Sequence, residues 1–121
     1  MNKKEVQKLT DKWCERLGMQ NFMVVLSFYK NKSKKLNGMV QYEAGTSRTN
    51  PSYKSIMINI DPRVLGRDSH FINETIVHEL LHGLMGQYDH YADTGVWAKY
   101  FREQVVSELA RIIIRLFRGN I

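Results

Sequence analysis

The sequence predicts one α+β domain with an N-terminal helix, about three strands and two closing helices. Three observations predict it. An amphipathic stretch of helical period fills residues 3–17, β-rich runs follow between residues 21 and 60, and two long helical patterns occupy residues 69–86 and 97–118. With 121 residues and 43% hydrophobic content, the chain matches the size of a single domain and can bury a core.

From Lys3 to Leu17, Val6, Leu9, Trp13 and Leu17 recur at helical spacing with charged residues opposite, and Gly18 supplies the stop. This predicts a covering helix. Asn21 to Tyr29 holds the run Phe22-Met23-Val24-Val25-Leu26, apolar on both faces, which predicts a central strand. Lys30, Lys32, Lys34 and Lys35 then crowd an expected loop. Gly38 to Ala44 alternates more loosely and predicts a strand with one exposed face. Gly45 to Ser52, containing Asn50-Pro51, is expected to be a turn. Tyr53 to Ile60 places Ile56, Ile58 and Ile60 on one face as the third strand, which Asp61-Pro62 ends.

Asp68 or Ser69 is suited to cap the next helix, with Gly83 and Gly86 expected to end it near residue 86. In it stands His78-Glu79-Leu80-Leu81-His82, an H-E-x-x-H signature within an apolar stripe of Val77, Leu80, Leu81 and Leu84. Residues four apart on a helix share a face, so His78 and His82 can aim both imidazoles at one metal ion. Glu79 lies about 100° around the helix, able to reach a metal-bound water without being a ligand. That arrangement suits zinc and a metal-activated hydrolase. His70, in the first turn, is expected on the surface.

The last helix, about Trp97 to Arg118, is expected to bury Phe101, Val105, Leu109, Ile112 and Leu116, with Val106, Ile113 and Phe117 widening the stripe. Glu103 falls within about 20° of Ala110 and Ile114 on the helical wheel, at the edge of the apolar sector. A carboxylate there is costly unless a cation receives it, which makes Glu103 the candidate third ligand. Glu108 instead falls among Gln104, Arg111 and Arg115 as an exposed partner of Arg111.

The lone Cys14 forms no internal disulfide and is expected to be a small buried residue. No apolar run approaches membrane-spanning length and no apolar leader follows Met1, so a soluble, cytoplasmic protein with no membrane partner is expected. The net charge of +6 favours acidic partners, and the Lys30–Lys35 segment is a possible nucleic-acid contact, without a helix-turn-helix or zinc-finger spacing beside it.

At His78-Glu79-Leu80-Leu81-His82 followed by Glu103, the chain resembles the zincin metallopeptidases, specifically the glutamate-liganded gluzincins. The element order on so short a chain is similar to the single-domain minigluzincins. The longer metzincin motif is not matched, since Met85 and Tyr88 stand where it requires glycine and histidine. Ile58-Asn59-Ile60-Asp61-Pro62-Arg63-Val64-Leu65 is similar to the segment preceding the motif in SprT-like proteases, whose third ligand is usually histidine; here that would be His90.

The resemblance implies a zincin-like domain, a Zn²⁺ ion on His78, His82 and Glu103, Glu79 as general base, and a peptide or protein substrate lying along a sheet edge, expected at Gly38 to Ala44. It also implies a second oxyanion donor from the downstream loop or helix start, with Tyr91, His90, Tyr100 and Arg102 as candidates in that order. Larger gluzincins support a zinc histidine with an acid at the position of Ser107, so here Glu74, Asp61 or another acid would have to substitute. The rival reading is a catalytically weak or latent zinc-stabilised binding protein that contacts nucleic acid through Lys30–Lys35.

Overall fold

The computed structural model describes residues 1–89 and 96–118, and its class is α+β. In chain order it contains α1 (Lys3–Arg16), β1 (Met23–Ser27), β2 (Ser33–Leu36), β3 (Met39–Tyr42), β4 (Gly45–Asn50), β5 (Ser55–Ile60), α2 (Ser69–Asp89) and α3 (Val96–Leu116). Short 3₁₀ turns follow β4 and β5 at Pro51–Tyr53 and Pro62–Gly66. Helix α1 begins with a capping box in which the Asn2 side chain accepts from Glu5 N–H and Glu5 reaches back to Asn2 N–H. It ends at Arg16 with Leu17 as the C-cap, and Gly18 follows at a φ of +68°, the left-handed conformation that favours glycine.

The main sheet has three strands in the order β1-β5-β4, with β5 parallel to β1 and antiparallel to β4. The strand expected at the centre, residues 21–29, is therefore an edge strand, and its Met23 and Val25 are exposed. The centre belongs to β5, whose Ile56, Ile58 and Ile60 are buried as the alternation requires. The segment expected as a turn, residues 45–52, is mostly β4. Its sequence Gly-Thr-Ser-Arg-Thr-Asn has no apolar alternation to announce a strand, and pairing with β5 holds it extended. Residues 38–44 do not join this sheet. Met39–Tyr42 pairs with Ser33–Leu36 as a separate hairpin, so half of the expected lysine loop is strand. Asn37 and Gly38, both at positive φ, form its two-residue turn.

Helix α2 packs on β4 and β5 from one side and touches α1 and α3. Asp68 caps it, accepting from Phe71 N–H at 2.8 Å. It runs to Asp89 rather than ending near Gly86. The glycines expected as a stop instead permit close packing: a Cβ on Gly83 would lie 2.5 Å from Ile56 Cγ2, and one on Gly86 2.5 Å from Thr49 Oγ1. Thr49 also donates its hydroxyl to the Gly83 carbonyl at 3.1 Å.

The core brings Val6 and Trp13 of α1, the three β5 isoleucines, Ile72, Ile76, Val77 and Leu80 of α2, and Val106, Ala110 and Ile114 of α3 together. Trp13 Nε1–H donates to Asn73 Oδ1 at 2.7 Å, and its ring meets Phe117 edge-on at 5.4 Å. The main stripe expected to bury α3 is not the buried one: Phe101, Leu109, Ile112 and Leu116 are exposed and Val105 is half-buried. The enclosed face is Val106, Ala110 and Ile114, of which only Val106 belongs to the expected widening of the stripe. Cys14 is buried, and burial, with Asp11 nearby, pushes its thiol up to about 11. No helix among the described residues is long and apolar enough to cross a membrane.

The hairpin is fastened to the domain by Asp61 and Arg63. Asp61 is fully buried and takes two side-chain hydrogen bonds from Arg63, at 2.9 and 2.7 Å, and backbone N–H bonds from Arg63 and Asn31. Arg63 also donates to Ser33 Oγ and the Asn31 carbonyl and lies 3.8 Å from the Tyr42 ring centroid. The Arg63 hydrogen bonds hold the Asp61 carboxyl well below the usual carboxylate range, against burial and with help from the two N–H groups and the guanidinium charge. A depressed folded-state pKa adds stability that is complete above the ordinary carboxylate value and is lost as pH falls through the folded value. Thermal unfolding followed from neutral pH to about pH 2 should therefore show the melting temperature dropping below about pH 4. Asp61→Asn should be less stable at neutral pH and should flatten that acid slope.

Candidate metal centre

Helical spacing sets the first two groups of the site. His78 and His82 project from one face of α2 with their Nε2 atoms 3.1 Å apart. The third group arrives from α3. Glu103 places Oε1 at 3.0 Å from His78 Nε2 and Oε2 at 2.8 Å from His82 Nε2. It does so because Glu103 lies almost in line with Ala110 and Ile114, the residues through which α3 seats on the core, about two turns closer to the helix start. One candidate ligand atom from each residue lies within 4.8 Å of the others, a grouping that can hold a metal ion. Ligands at about 2.0–2.1 Å in a tetrahedral site stand about 3.3 Å apart, close to the separations of these three groups. Glu103 keeps more than half of its side-chain surface exposed, so it ends beyond the core edge rather than within it.

Glu79 takes no place in this grouping. It is 5% exposed, and its Oε1 stays 4.0 Å from His78 Nε2. Burial pushes its carboxyl up to about 7, with the charges of Glu103 and Glu43 adding to the rise and a Ser47 hydrogen bond opposing it. His78 moves the other way: burial and the neighbouring His82 lower it, outweighing the opposite pull of Glu103 and Glu74. A neutral imidazole with a free ring nitrogen is the form that binds a metal.

The enclosure of Glu79 is a feature that the sequence did not reveal. Strand β4 passes over it at Gly45, where a Cβ would lie 2.8 Å from Glu79 Cγ and 3.3 Å from Thr75 Cγ2. Only a glycine lets the backbone approach so closely. The wall of Gly45, Thr46 and Ser47 faces α2 across a cleft of about 500 Å³, whose rim also includes Glu43, Phe71 and Glu74. Gly45 is the signal in the sequence for this close approach, although local rules alone make it the start of a turn.

The other candidates separate cleanly. His90 and Tyr91 lie outside the described residues. Tyr100 is exposed and Arg102 half-buried. His70 is exposed and pairs with Glu74 at 3.5 Å, as a surface residue would. Glu108 pairs with Arg111 at 3.1 Å on the exposed side of α3. Of the acids considered as replacements at the position of Ser107, Asp61 is engaged by Arg63 and Asn31, while Glu74 lines the cleft and acts electrostatically on His78.

Comparison with protein-family models, with curated proteins and with solved structures gives no match.

Titration with Zn²⁺ after chelation should give one tight site per chain. His78→Ala, His82→Ala or Glu103→Ala should each weaken it by at least about 100-fold, because two protein ligands leave the coordination incomplete. Glu108→Ala should leave affinity unchanged. Release of metal by His90→Ala but not by Glu103→Ala would assign the third ligand to the segment joining α2 and α3.

Proposed function

We propose that this chain is a zinc-dependent endopeptidase of the zincin type, similar in plan to the single-domain gluzincins. One observation carries the reading: two imidazoles and one carboxylate converge beside a buried carboxyl that is not one of the three. Two histidines and one glutamate make a donor set used by catalytic zinc sites, which keep a position open, rather than by closed structural ones. A site that only stabilises the fold has no use for Glu79.

In this reading His78, His82 and Glu103 would hold the ion, which would supply Lewis-acid polarisation of a peptide carbonyl and lower the pKa of a water to about 7. Glu79 accepts the proton of the attacking water on its carboxylate and returns it to the leaving amine nitrogen. Glu79 and Ser47 line the same cleft. The substrate edge, expected at residues 38–44, moves to β4. This strand borders the three-stranded sheet, and its Gly45–Ser47 half lines the cleft, so an extended peptide can add alongside it. A second donor to the developing oxyanion would come from the segment joining α2 to α3, where Tyr91 and His90 stand in the sequence.

The rival zinc-stabilised nucleic-acid binder draws on one observation, the exposed hairpin carrying Lys34 and Lys35 next to Lys30 and Lys32. The two readings part at Glu79. Glu79→Gln keeps size and hydrogen bonding but removes the base, so zinc content should persist while cleavage of an unstructured protein falls by about 100-fold or more. Gly45→Ala should also retain zinc and lose about 10- to 100-fold in turnover, because the added methyl displaces Glu79. A wild-type protein that carries full zinc and cleaves no unstructured substrate would overturn the peptidase reading. Salt-sensitive binding to nucleic acid, lost on replacing Lys32, Lys34 and Lys35, would then favour the rival.

A further inference from the structure

The exposed side of α3 carries a pattern that neither the core nor the metal centre uses. Phe101, Val105, Leu109, Ile112 and Leu116 are spaced 4, 4, 3 and 4 residues apart. Phe101 is 68% exposed, Ile112 49% and Leu116 74%. On the helical wheel these residues centre about 140° from Ala110, which lies at the middle of the face packed on the core. Such a stripe cannot share the burial of Val106, Ala110 and Ile114, and its spacing from Val105 onward is that of a coiled-coil seam. Glu108 and Arg115 flank the seam on one side, one heptad apart, and both are exposed.

We propose that a second copy of this chain covers the stripe, with the two α3 helices packed antiparallel about a two-fold axis. The charge pattern selects this arrangement. When Leu109 faces Ile112 of the second copy, Val105 faces Leu116, and the flanking position of Glu108 falls opposite Arg115. The two-fold axis repeats each of these contacts. A parallel pairing would instead set Glu108 against the heptad position of Ile113, which is partly buried against the chain's own core, and would leave no opposite-charge partner. Within one chain Glu108 already holds Arg111 at 3.1 Å, and its second oxygen remains available to Arg115 of the other copy.

Sedimentation equilibrium on the intact protein tests this. The mass should rise from 14.2 kDa toward twice that value as concentration increases. Ile112→Lys should raise the dissociation constant by about 100-fold or more with the fold retained, since residue 112 is exposed in the single chain. Glu108→Arg and Arg115→Glu should each weaken association by about tenfold, and the double exchange should restore it to within a few-fold, because only the antiparallel register pairs these positions. Circular dichroism melts of each variant at a dilution where it is monomeric separate loss of pairing from loss of helix. A monomer at all concentrations would overturn the proposal and leave the stripe to a different partner. A dimer indifferent to Ile112→Lys, or one that the double exchange fails to restore, would overturn it as well.

Discussion

The close approach of α2 to β4 is the constraint on which the rest of the structure depends. Two secondary-structure elements with ordinary side chains at their contact stand about 10 Å apart. Here Gly83 and Gly86 on the helix and Gly45 on the strand remove the Cβ atoms that would hold them further away. The helix therefore lies tight on the sheet, Thr49 reaches the Gly83 carbonyl, and Glu79 is enclosed by backbone rather than by a movable side chain. Burial of that carboxyl, and with it the rise of its pKa, follows from this packing.

The third member of the site depends on a second contact, α3 against the core. Val106, Ala110 and Ile114 fix the rotation of α3 about its axis, and Glu103, close to the same line, is carried to the two histidines. The rotation is secured at the far end by Phe117 against Trp13, which itself bonds Asn73 of α2. Three helices are thus linked through one aromatic cluster at the end opposite the histidines. Packing fixes the helix positions from which His78, His82 and Glu103 converge.

Charge is distributed unevenly for a chain of net +6. Among the described residues the cleft is lined by Glu43, Glu74, Glu79 and Glu103 with no lysine or arginine, while lysines gather on and beside the hairpin. The charges of Glu103 and Glu43 raise the energy of ionised Glu79, a repulsion that a divalent cation beside it would relieve. The hairpin, tied down through Arg63 and Asp61, stands apart as a separate basic surface.

The sequence by itself determined the α+β class, the helix bearing His78 and His82, the position of Glu79 beside them, and Glu103 as a leading candidate for their partner. These follow from local rules: helical period, four-residue spacing and the angular position of Glu103 near Ala110 and Ile114. Tertiary structure decided what local rules cannot reach. Gly-Thr-Ser-Arg-Thr-Asn becomes a strand only because β5 lies beside it, so the expected turn is the cleft wall and the expected edge at residues 38–44 is part of a separate two-stranded hairpin. Gly83 and Gly86 read as a helix stop from propensity alone, yet they lie within a helix because Ile56 and Thr49 occupy the space their side chains would fill. On α3 the more regular apolar stripe, from Phe101 to Leu116, is the exposed one. A hydrophobic period shows that a face needs covering, but what covers it is settled by the other elements that the fold brings near.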